Sequence, residues 1–295
     1  MSGYPAHVGR ASLPVDYATI DSVVVVCSHS YCEPIKGEIM LSVHRIPAFE
    51  DNYIWLIQAQ GTNKVIAVDP GDATPVLNTL RAKYLDLIAI LITHHHADHT
   101  AGIVELTKDV AIPVYGPANE NINGVTHPQT GRDTIAIDPA FPEFTVLNTP
   151  GHTPGHISYL AEGKLFCGDT LFAAGCGRLL GGTAEQLHSS LSHLATLPAT
   201  TEIYCAHEYT LANLRFAKAV EPDNTLLIQR FEQTEKARQQ QQATVPSLMQ
   251  DELATNPFLR CELDSIKKAA ESFSGRPLAD SQAVFTALRA WKDAF

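Results

Sequence analysis

The chain has 295 residues, of which 45% are hydrophobic and 18% charged, so a folded globular protein is expected and a disordered one is excluded. Its length is sufficient for one large or two modest hydrophobic cores. The net charge of -11 argues against nucleic acid and acidic membranes as partners, because phosphate groups are bound by basic surfaces.

Neither the cysteines nor the hydrophobic runs indicate export or membrane insertion. The six cysteines show no disulfide-framework spacing and no Cys-x-x-Cys pair, so we expect buried thiols in a reducing compartment. No apolar run approaches the ~20 residues of a membrane span. The run at residues 23–26 is also too short for the core of a signal peptide. We therefore expect a cytoplasmic protein that has no membrane partner.

Residues 1–39 differ from the rest of the chain, because they carry no helical or alternating pattern beyond residues 20–27. We expect them to be a poorly ordered extension that is dispensable for function. From Met40 the pattern becomes rich in strands. The predicted elements are strands at 41–46, 53–58 and 64–69 and a helix at 72–83. Asp69 ends a strand, where it could orient a ligand histidine or merely cap a turn.

A histidine-rich loop follows the apolar run 85–92, which is typical of a buried strand. Its sequence is Thr93-His94-His95-His96-Ala97-Asp98-His99-Thr100. Imidazole and carboxylate groups are the usual ligands of zinc-like ions. If the loop is extended, His94 and His96 point the same way, whereas Asp98 and His99 lie beyond the bend. One loop could therefore serve two metals; an exposed His-rich turn is the alternative.

Three later segments place a histidine or an aspartate near the end of a predicted strand, where α/β folds bind ligands. His152 follows strand 143–148 in a loop rich in Pro and Gly that also contains His156. Asp169 ends a short strand that begins at residue 164, although a lone Asp after Gly is normally a turn residue. His207 follows strand 202–206, which we expect to be the last strand of the chain.

The second half of the chain is mainly helical. The predicted helices span 184–195, 211–219, 225–241, 248–254, 262–271 and 280–292. Thr183 and Gln186 have the spacing of a capping box at the start of the first of these helices. A part rich in strands that is followed by a helical part indicates two segregated units.

The motif Thr-His-x-His-x-Asp-His after an apolar strand resembles the metallo-β-lactamase-fold hydrolases. Further segments narrow the resemblance to bacterial glyoxalase II, the hydroxyacylglutathione hydrolases, from about Met40 to Phe295. They are Asp51-Asn52-Tyr53, Pro150-Gly151-His152-Thr153-Pro154-Gly155-His156, Gly168-Asp169-Thr170-Leu171-Phe172, Thr244-Val245-Pro246-Ser247 and Asn256-Pro257-Phe258-Leu259-Arg260. The resemblance implies an α+β fold, with an αββα sandwich at residues 40–207 as catalytic domain. A smaller all-α domain at 208–295 would bind the substrate.

The resemblance also implies a site with two divalent metal ions. Metal 1 would take His94, His96 and His152, and metal 2 would take Asp98, His99 and His207. Asp169 would bridge the two ions, while His95 would be a spacer and His156 structural. A ligand set of nitrogen and oxygen is expected to hold zinc, with iron and manganese as alternatives. Asp98 and Asp169 would act in catalysis together with a hydroxide that bridges the metals.

The implied reaction is hydrolysis of S-lactoylglutathione to lactate and glutathione, the second step of methylglyoxal detoxification. Its substrate contacts would come from Arg178, Tyr209, Arg289 and Lys292. Leu180 stands where the resemblance implies an aromatic residue. This departure would affect the affinity for the substrate rather than the hydrolysis itself. A hydrolase of another thioester or of a lactone is the main alternative, and a catalytically inactive metal-binding protein is a further one. We expect a monomer.

Overall fold

The computed structural model describes Met1, Gly3 and residues 40–295. Apart from Met1 and Gly3, the predicted N-terminal extension lies outside the described residues. The described residues from Met40 onward belong to one compact unit. The boundary at residue 207 between a catalytic and a helical domain remains a prediction.

The described strands form two six-stranded sheets and a small hairpin. The first sheet has the order β1 (Leu41–Ala48), β2 (Asn52–Ala59), β3 (Lys64–Val68), β4 (Asp86–Leu91), β5 (Val114–Pro117) and β6 (His127–Gln129). The second sheet has the order β7 (Thr134–Ile135), β8 (Phe144–Asn148), β9 (Ile157–Ala161), β10 (Lys164–Gly168), β13 (Glu202–Cys205) and β14 (Ser247–Leu248). The hairpin consists of β11 (Leu171–Phe172) and β12 (Gly175–Cys176).

Helices connect the strands and fill the C-terminal part. They are α1 (Ala73–Lys83), α2 (Ala97–Thr100), α3 (Ile103–Thr107), α4 (Ala184–Leu194), α5 (Thr210–Val220), α6 (Thr225–Gln239), α7 (Met249–Thr255), α8 (Asp264–Ser274) and α9 (Ser281–Ala294). A 3₁₀ turn spans Pro257–Leu259. Within the described part of the chain, none of the helices is both long and apolar enough to cross a membrane.

The main hydrophobic core lies between the two sheets. Trp55 of the first sheet and Phe144 of the second belong to one buried cluster, which also includes residues of α4 and α9. The opposite face of the first sheet packs against α1 and α3 through Leu56, Val76 and Ile103. Because alternate side chains of a strand face opposite sides, the first sheet buries both faces. The resulting layers are helix, sheet, sheet and helix, which confirms the predicted αββα sandwich with a helical C-terminal part.

Parallel strand pairs determine where the candidate ligands meet. β3, β4 and β5 are parallel neighbours in the first sheet, as are β10 and β13 in the second. Their carboxyl ends therefore meet at one edge of each sheet, and the loops that follow β4, β10 and β13 lie there. A backbone bridge between Asn52 and His207 connects the start of β2 to the loop after β13.

Most predicted elements are confirmed with small shifts at their ends, and the capping box of Thr183 and Gln186 is present at α4. The prediction that strand 202–206 is the last strand is wrong, because Ser247–Leu248 pairs with β13. This strand has only two residues, and it exists through pairing with a distant segment rather than through a local pattern. β6 and β9 were not predicted either.

Candidate metal centre

The predicted ligands lie together at the shared edge of the two sheets. Three groups bring their ligand atoms within 4.8 Å of one another. The groups are His94, His96 and His152; His94, His99 and Asp169; and Asp98, His99 and His207. All the metal ligands that the sequence predicted are therefore neighbours in the structure.

The loop after β4 presents its histidines as the sequence suggests. His96 has an extended backbone and is the N-cap residue of α2, so the chain bends just before Asp98 and His99. His95 points away and contacts the Glu120 carboxylate, with 2.8 Å between Nδ1 and Oε2. Side chains alternate in direction along the extended part of this loop, and one short helical turn follows. The two sets of candidate ligands are separated for this reason.

The first group is a cluster of three imidazoles. The Nδ1 atom of His96 lies 3.0 Å from the Nε2 atom of His94 and 3.0 Å from the Nε2 atom of His152. Burial is the main cause that lowers the pKa of each of these histidines below its usual value. Neutral imidazoles direct lone pairs at a common point, and this arrangement suits a bound cation.

The second group contains Asp98, His99 and His207, and Asp169 lies between both groups. The Oδ1 atom of Asp169 is 3.5 Å from His99 Nε2 and 3.4 Å from His207 Nε2. Its Oδ2 atom is 3.5 Å from His152 Nε2 in the first group. Asp169 thus offers one oxygen to each group, as expected of a bridging carboxylate.

Two buried atoms of this site support metal binding. His99 Nε2 and Asp169 Oδ1 have no hydrogen-bond partner within the described part of the chain. Unpaired polar atoms in the interior are rare and destabilise a fold by about 1–3 kcal/mol each. A cation between them would remove this penalty. The donor atoms are nitrogen and oxygen without sulfur, which fits zinc, iron and manganese.

Charge interactions keep the carboxylates ionised. Burial alone would raise the pKa of Asp169, but His99 and His207 outweigh it and hold this pKa well below its usual value. Burial likewise opposes ionisation of Asp98, but the nearby His99 imidazole, at 3.4 Å, and a hydrogen bond from Asn52 hold its pKa low. Conversely, Asp169 and Asp69 raise the pKa of His99 in spite of complete burial.

Outer hydrogen bonds orient four of the five candidate ligand histidines through the nitrogen that faces away from the site. The Nδ1 partners are Thr93 Oγ1 for His94 (3.0 Å), Asp69 Oδ2 for His99 (3.0 Å), the Arg178 carbonyl for His152 (2.8 Å) and Asp51 Oδ1 for His207 (2.8 Å). Such bonds fix the tautomer that leaves Nε2 free for a metal.

The structure decides the role of Asp69, which the sequence left open between two alternatives. Its carboxylate accepts hydrogen bonds from His99 Nδ1, the Thr93 amide at 2.8 Å and the Thr93 hydroxyl at 2.7 Å. It therefore orients a candidate ligand rather than capping a turn. The role of Asp51 was missed, because only the pairing of Asn52 with His207 brings it near the site.

His156 is fully buried beside the site and does not belong to the three groups found among the described residues. Its Nε2 atom accepts a hydrogen bond from the Asp169 amide at 3.2 Å. Its Nδ1 atom lies 3.0 Å from the Thr149 hydroxyl. These contacts agree with the structural role that was expected for it.

A cavity of about 490 Å³ opens onto the candidate ligands. The predicted substrate residues Arg178, Tyr209 and Lys292 line it, as does Leu180. The Tyr209 ring stacks on the His207 ring, with 4.7 Å between the centroids. Arg289 is not among the described residues that line the cavity. The side chain of Arg289 is only 4% exposed, and its Nη1 atom donates to the Cys176 carbonyl at 3.1 Å.

Comparisons with known proteins agree with this architecture. Residues 48–207 match the family model of the metallo-β-lactamase superfamily, and residues 208–295 match that of the hydroxyacylglutathione hydrolase C-terminus. The chain is similar to the hydroxyacylglutathione hydrolase of Alkalilimnicola ehrlichii, with 55% identity over 86% of this chain and 99% of the relative. The corresponding protein of Nitrosomonas eutropha is 52% identical over 87% of this chain and 100% of the relative.

Solved structures show the same fold. The crystal structure of BLEG-1 B3 metallo-β-lactamase aligns with a TM-score of 0.56 and 24% identity, over 74% of this chain and 99% of that chain. That of ETHE1 from Myxococcus xanthus aligns with a TM-score of 0.50 and 30% identity, over 58% of this chain and 76% of that chain. Given the high identity to its curated relatives over nearly their whole length, the chain belongs to the hydroxyacylglutathione hydrolase family of the metallo-β-lactamase superfamily.

Proposed function

We propose that this protein hydrolyses the thioester bond of S-(2-hydroxyacyl)glutathione, with S-lactoylglutathione as the expected substrate. The observation that carries the proposal is the shared cavity, in which the candidate metal ligands face the same space as Arg178 and Lys292. The curated relatives are named hydroxyacylglutathione hydrolases, which supports the same substrate class. The products would be a 2-hydroxy acid, here lactate, and glutathione, which completes the detoxification of methylglyoxal.

We infer that the site holds two divalent ions, with zinc expected and iron or manganese also compatible. His94, His96 and His152 would hold one ion, and Asp98, His99 and His207 would hold the other. Asp169 would contribute to both, because its two oxygens face different groups. When bound, such ions polarise a carbonyl oxygen and lower the pKa of water from ~15.7 towards ~7.

The carboxylates of the chain would orient the attacking water. Asp98 and Asp169 remain ionised at neutral pH, since the neighbouring histidines hold both pKa values low. Their oxygens can therefore accept a hydrogen bond from the water. The leaving glutathione thiolate has a pKa of roughly 8.5–9. Such a thiolate departs without prior protonation, so the chain does not need a separate general acid.

Binding of glutathione requires local positive charge, because glutathione carries two carboxylates and the chain has a net charge of -11. Arg178 and Lys292 supply it at the wall of the cavity. Tyr209 can donate its phenolic hydrogen, since burial and nearby carboxylates raise its pKa and keep the hydroxyl protonated. The exposed apolar side chain of Leu180 forms another part of the wall and offers no hydrogen bond.

We further propose a monomer in the cytoplasm. Within the described residues, Cys167, Cys176, Cys205 and Cys261 are free and buried, which fits a reducing compartment. The alternative function is hydrolysis of another thioester or of a lactone at the same metal site. A neutral lactone would gain nothing from Arg178 and Lys292, so these two cations favour an anionic substrate.

The first experiment is S-lactoylglutathione hydrolysis, followed as loss of thioester absorbance, with the metal content of each preparation quantified. We expect turnover with about two metals per chain. Lys292→Ala should raise KM at least about tenfold with little change in kcat, because it removes a charge that binds the substrate. The control variant is Lys268→Ala, which removes an exposed lysine of α8 that does not line the cavity. Full metal content without turnover of this thioester would refute the substrate assignment and favour a lactone or another thioester.

A further inference from the structure

A buried carboxylate without a role in the proposed reaction lies beside the first group of candidate ligands. Glu120 follows β5, the parallel neighbour of β4, so it stands at the same edge of the first sheet as the histidine-rich loop. Ala118 and Asn119 just before it are exposed, whereas the side chain of Glu120 is only 4% exposed. A buried carboxylate is destabilising unless it accepts hydrogen bonds, so its partners indicate why it is buried there.

The carboxylate of Glu120 connects two loops that are distant in the sequence. Its Oε2 atom lies 2.8 Å from His95 Nδ1, in the loop after β4. Its Oε1 atom accepts hydrogen bonds from the Thr153 hydroxyl and from the Gly155 amide, the latter at 3.0 Å, in the loop after β8. Each of the two oxygens therefore contacts a different loop.

These contacts are adjacent in sequence to the three histidines of the first group. His95 stands between His94 and His96, and Thr153 directly follows His152. The first group thus takes its ligand atoms from both loops, and these atoms lie within 4.8 Å of one another. Such an arrangement requires that the two loops keep one fixed separation, since a metal site tolerates little displacement of its ligands.

Gly155 leaves the space that this carboxylate needs. A Cβ atom at position 155 would lie 2.5 Å from Glu120 Cγ, whereas nonbonded carbon atoms prefer a separation of about 3.5–4.0 Å. Because Cγ is close to the backbone of Glu120, rotation of the terminal carboxylate would not relieve the contact. The close approach accounts for the second glycine of the segment Pro150-Gly151-His152-Thr153-Pro154-Gly155-His156, which the candidate ligands themselves do not explain.

We propose that Glu120 is a positioning residue that holds the loop after β4 and the loop after β8 at one separation, so that the first group can bind a metal ion. His95 provides the contact in the first of these loops, and Thr153 and Gly155 provide it in the second. The inference rests on the two-metal site of the proposed function. It concerns the first group alone, since the described hydrogen bonds of the Glu120 carboxylate do not involve the second group.

Zinc binding by Glu120→Ala tests the proposal, measured by competition with a chelator of known affinity. The variant should bind one of its two zinc ions about 10–100-fold more weakly than the wild type does, as is typical when an outer partner of a metal site is lost. Its affinity for the other ion should stay near the wild-type value. Nuclear magnetic resonance of protein with isotope-labelled histidine identifies the weakened site. With zinc sufficient for one ion, His99 and His207 should show metal-bound signals and the first group should not.

Glu120→Gln separates the position of the side chain from its charge. Its oxygen can still accept from Thr153 and Gly155, and its NH₂ group can donate to His95 Nδ1 when the ring proton lies on Nε2. This variant should therefore bind both zinc ions nearly as tightly as the wild type. A loss as large as that in Glu120→Ala would identify charge as the cause and overturn the positioning role. Wild-type affinity for both ions in folded Glu120→Ala would also overturn it.

Hydrogen exchange in the metal-free protein tests the same contacts without zinc. Glu120→Ala should accelerate amide exchange in the peptide that contains residues 150–157 at least about tenfold, because this loop loses two hydrogen bonds. Gly155→Ala keeps the carboxylate but displaces it, and it serves where Glu120→Ala does not fold. Gly155 has no positive φ angle, so its backbone accepts alanine. Unchanged exchange in the folded variants would overturn the proposal.

The matched control is Glu221→Ala, which removes another largely buried carboxylate, at the end of α5. The Glu221 side chain is 12% exposed and accepts hydrogen bonds from Asn224, Arg260 and Ser265. The control should lower the free energy of unfolding, while zinc affinities and exchange of residues 150–157 stay at wild-type values. A comparable loss of one zinc ion here would show that lowered stability explains the effect, and would overturn the positioning role. A wild type that binds two zinc ions without hydrolysing S-lactoylglutathione would refute only the proposed substrate.

Discussion

Asp69 is the outer residue whose substitution gives the sharpest prediction. Its Oδ1 atom accepts from the Thr93 amide, and its Oδ2 atom accepts from the Thr93 hydroxyl and from His99 Nδ1. Asp69→Asn keeps the shape of the side chain but replaces one acceptor by an NH₂ donor. In either orientation of the amide, its NH₂ group then faces a donor, either the Thr93 amide or the Thr93 hydroxyl together with His99 Nδ1. If the NH₂ group faces His99, the proton of this histidine moves to Nε2, which is the atom offered to a metal.

The expected magnitude follows from the lost interaction. Leaving one buried donor unpaired costs about 1–3 kcal/mol, which corresponds to about 5- to 140-fold in an equilibrium constant. Loss of an outer partner of a ligand histidine typically lowers metal affinity roughly 10–100-fold. The two ranges agree, so we expect Asp69→Asn to weaken metal binding about 10–100-fold.

The assay is competition for metal with a chelator of known affinity, read as metal content after equilibrium dialysis and separation. The matched control is Asp72→Asn, because Asp72 caps α1 through the Thr74 amide and Asn is an equally good N-cap. It should bind metal like the wild type. A folded Asp69→Asn protein with wild-type metal affinity would refute the reasoning that Asp69 fixes the tautomer of His99.

Three further predictions concern residues that do not bind metal in the proposed site. Thr183→Ala should lower the free energy of unfolding by about 1 kcal/mol, measured by urea unfolding, because it removes half of the capping box of α4. Burial lowers the pKa of His156 in the folded state, so the metal-free protein should lose stability as pH falls below the unfolded pKa of about 6.5. His156→Gln should reduce this slope by up to about 1.4 kcal/mol per pH unit in urea unfolding between pH 6.5 and 5.5, and an unchanged slope would contradict it. Gly177→Ala should either prevent folding or give a protein that is expressed like the wild type but has no turnover, because its Cβ would meet the carbonyl of Asp169. A wild-type kcat/KM in this variant would contradict the close approach of the two residues.

The sequence was informative about the candidate ligands because they stand in short local patterns. The loop after β4 contains four of them, and each remaining ligand follows the end of a strand. The family resemblance, rather than a predicted strand pairing, assigned these remaining residues to the same site, and the parallel strands of the structure explain why they lie at one edge. Asp51 could not be inferred in the same way, because it reaches His207 through pairing between the start of β2 and the loop after β13. β14 was missed for the same reason.

For Arg289 and Lys292, the helical pattern predicts a shared face but not the surroundings of each side chain. Residues three apart share a helix face, and this reasoning correctly places both cations towards the same part of the molecule. However, α9 packs on the β11–β12 hairpin with that face, so the cation at its centre is buried and the one nearer its end reaches the cavity. Which of two neighbouring cations reaches the cavity depends on how deeply the helix is packed, a property of the tertiary structure. Two neighbouring cations of one helix therefore have different surroundings, one bonded to the buried backbone of the hairpin and one at the wall of the cavity.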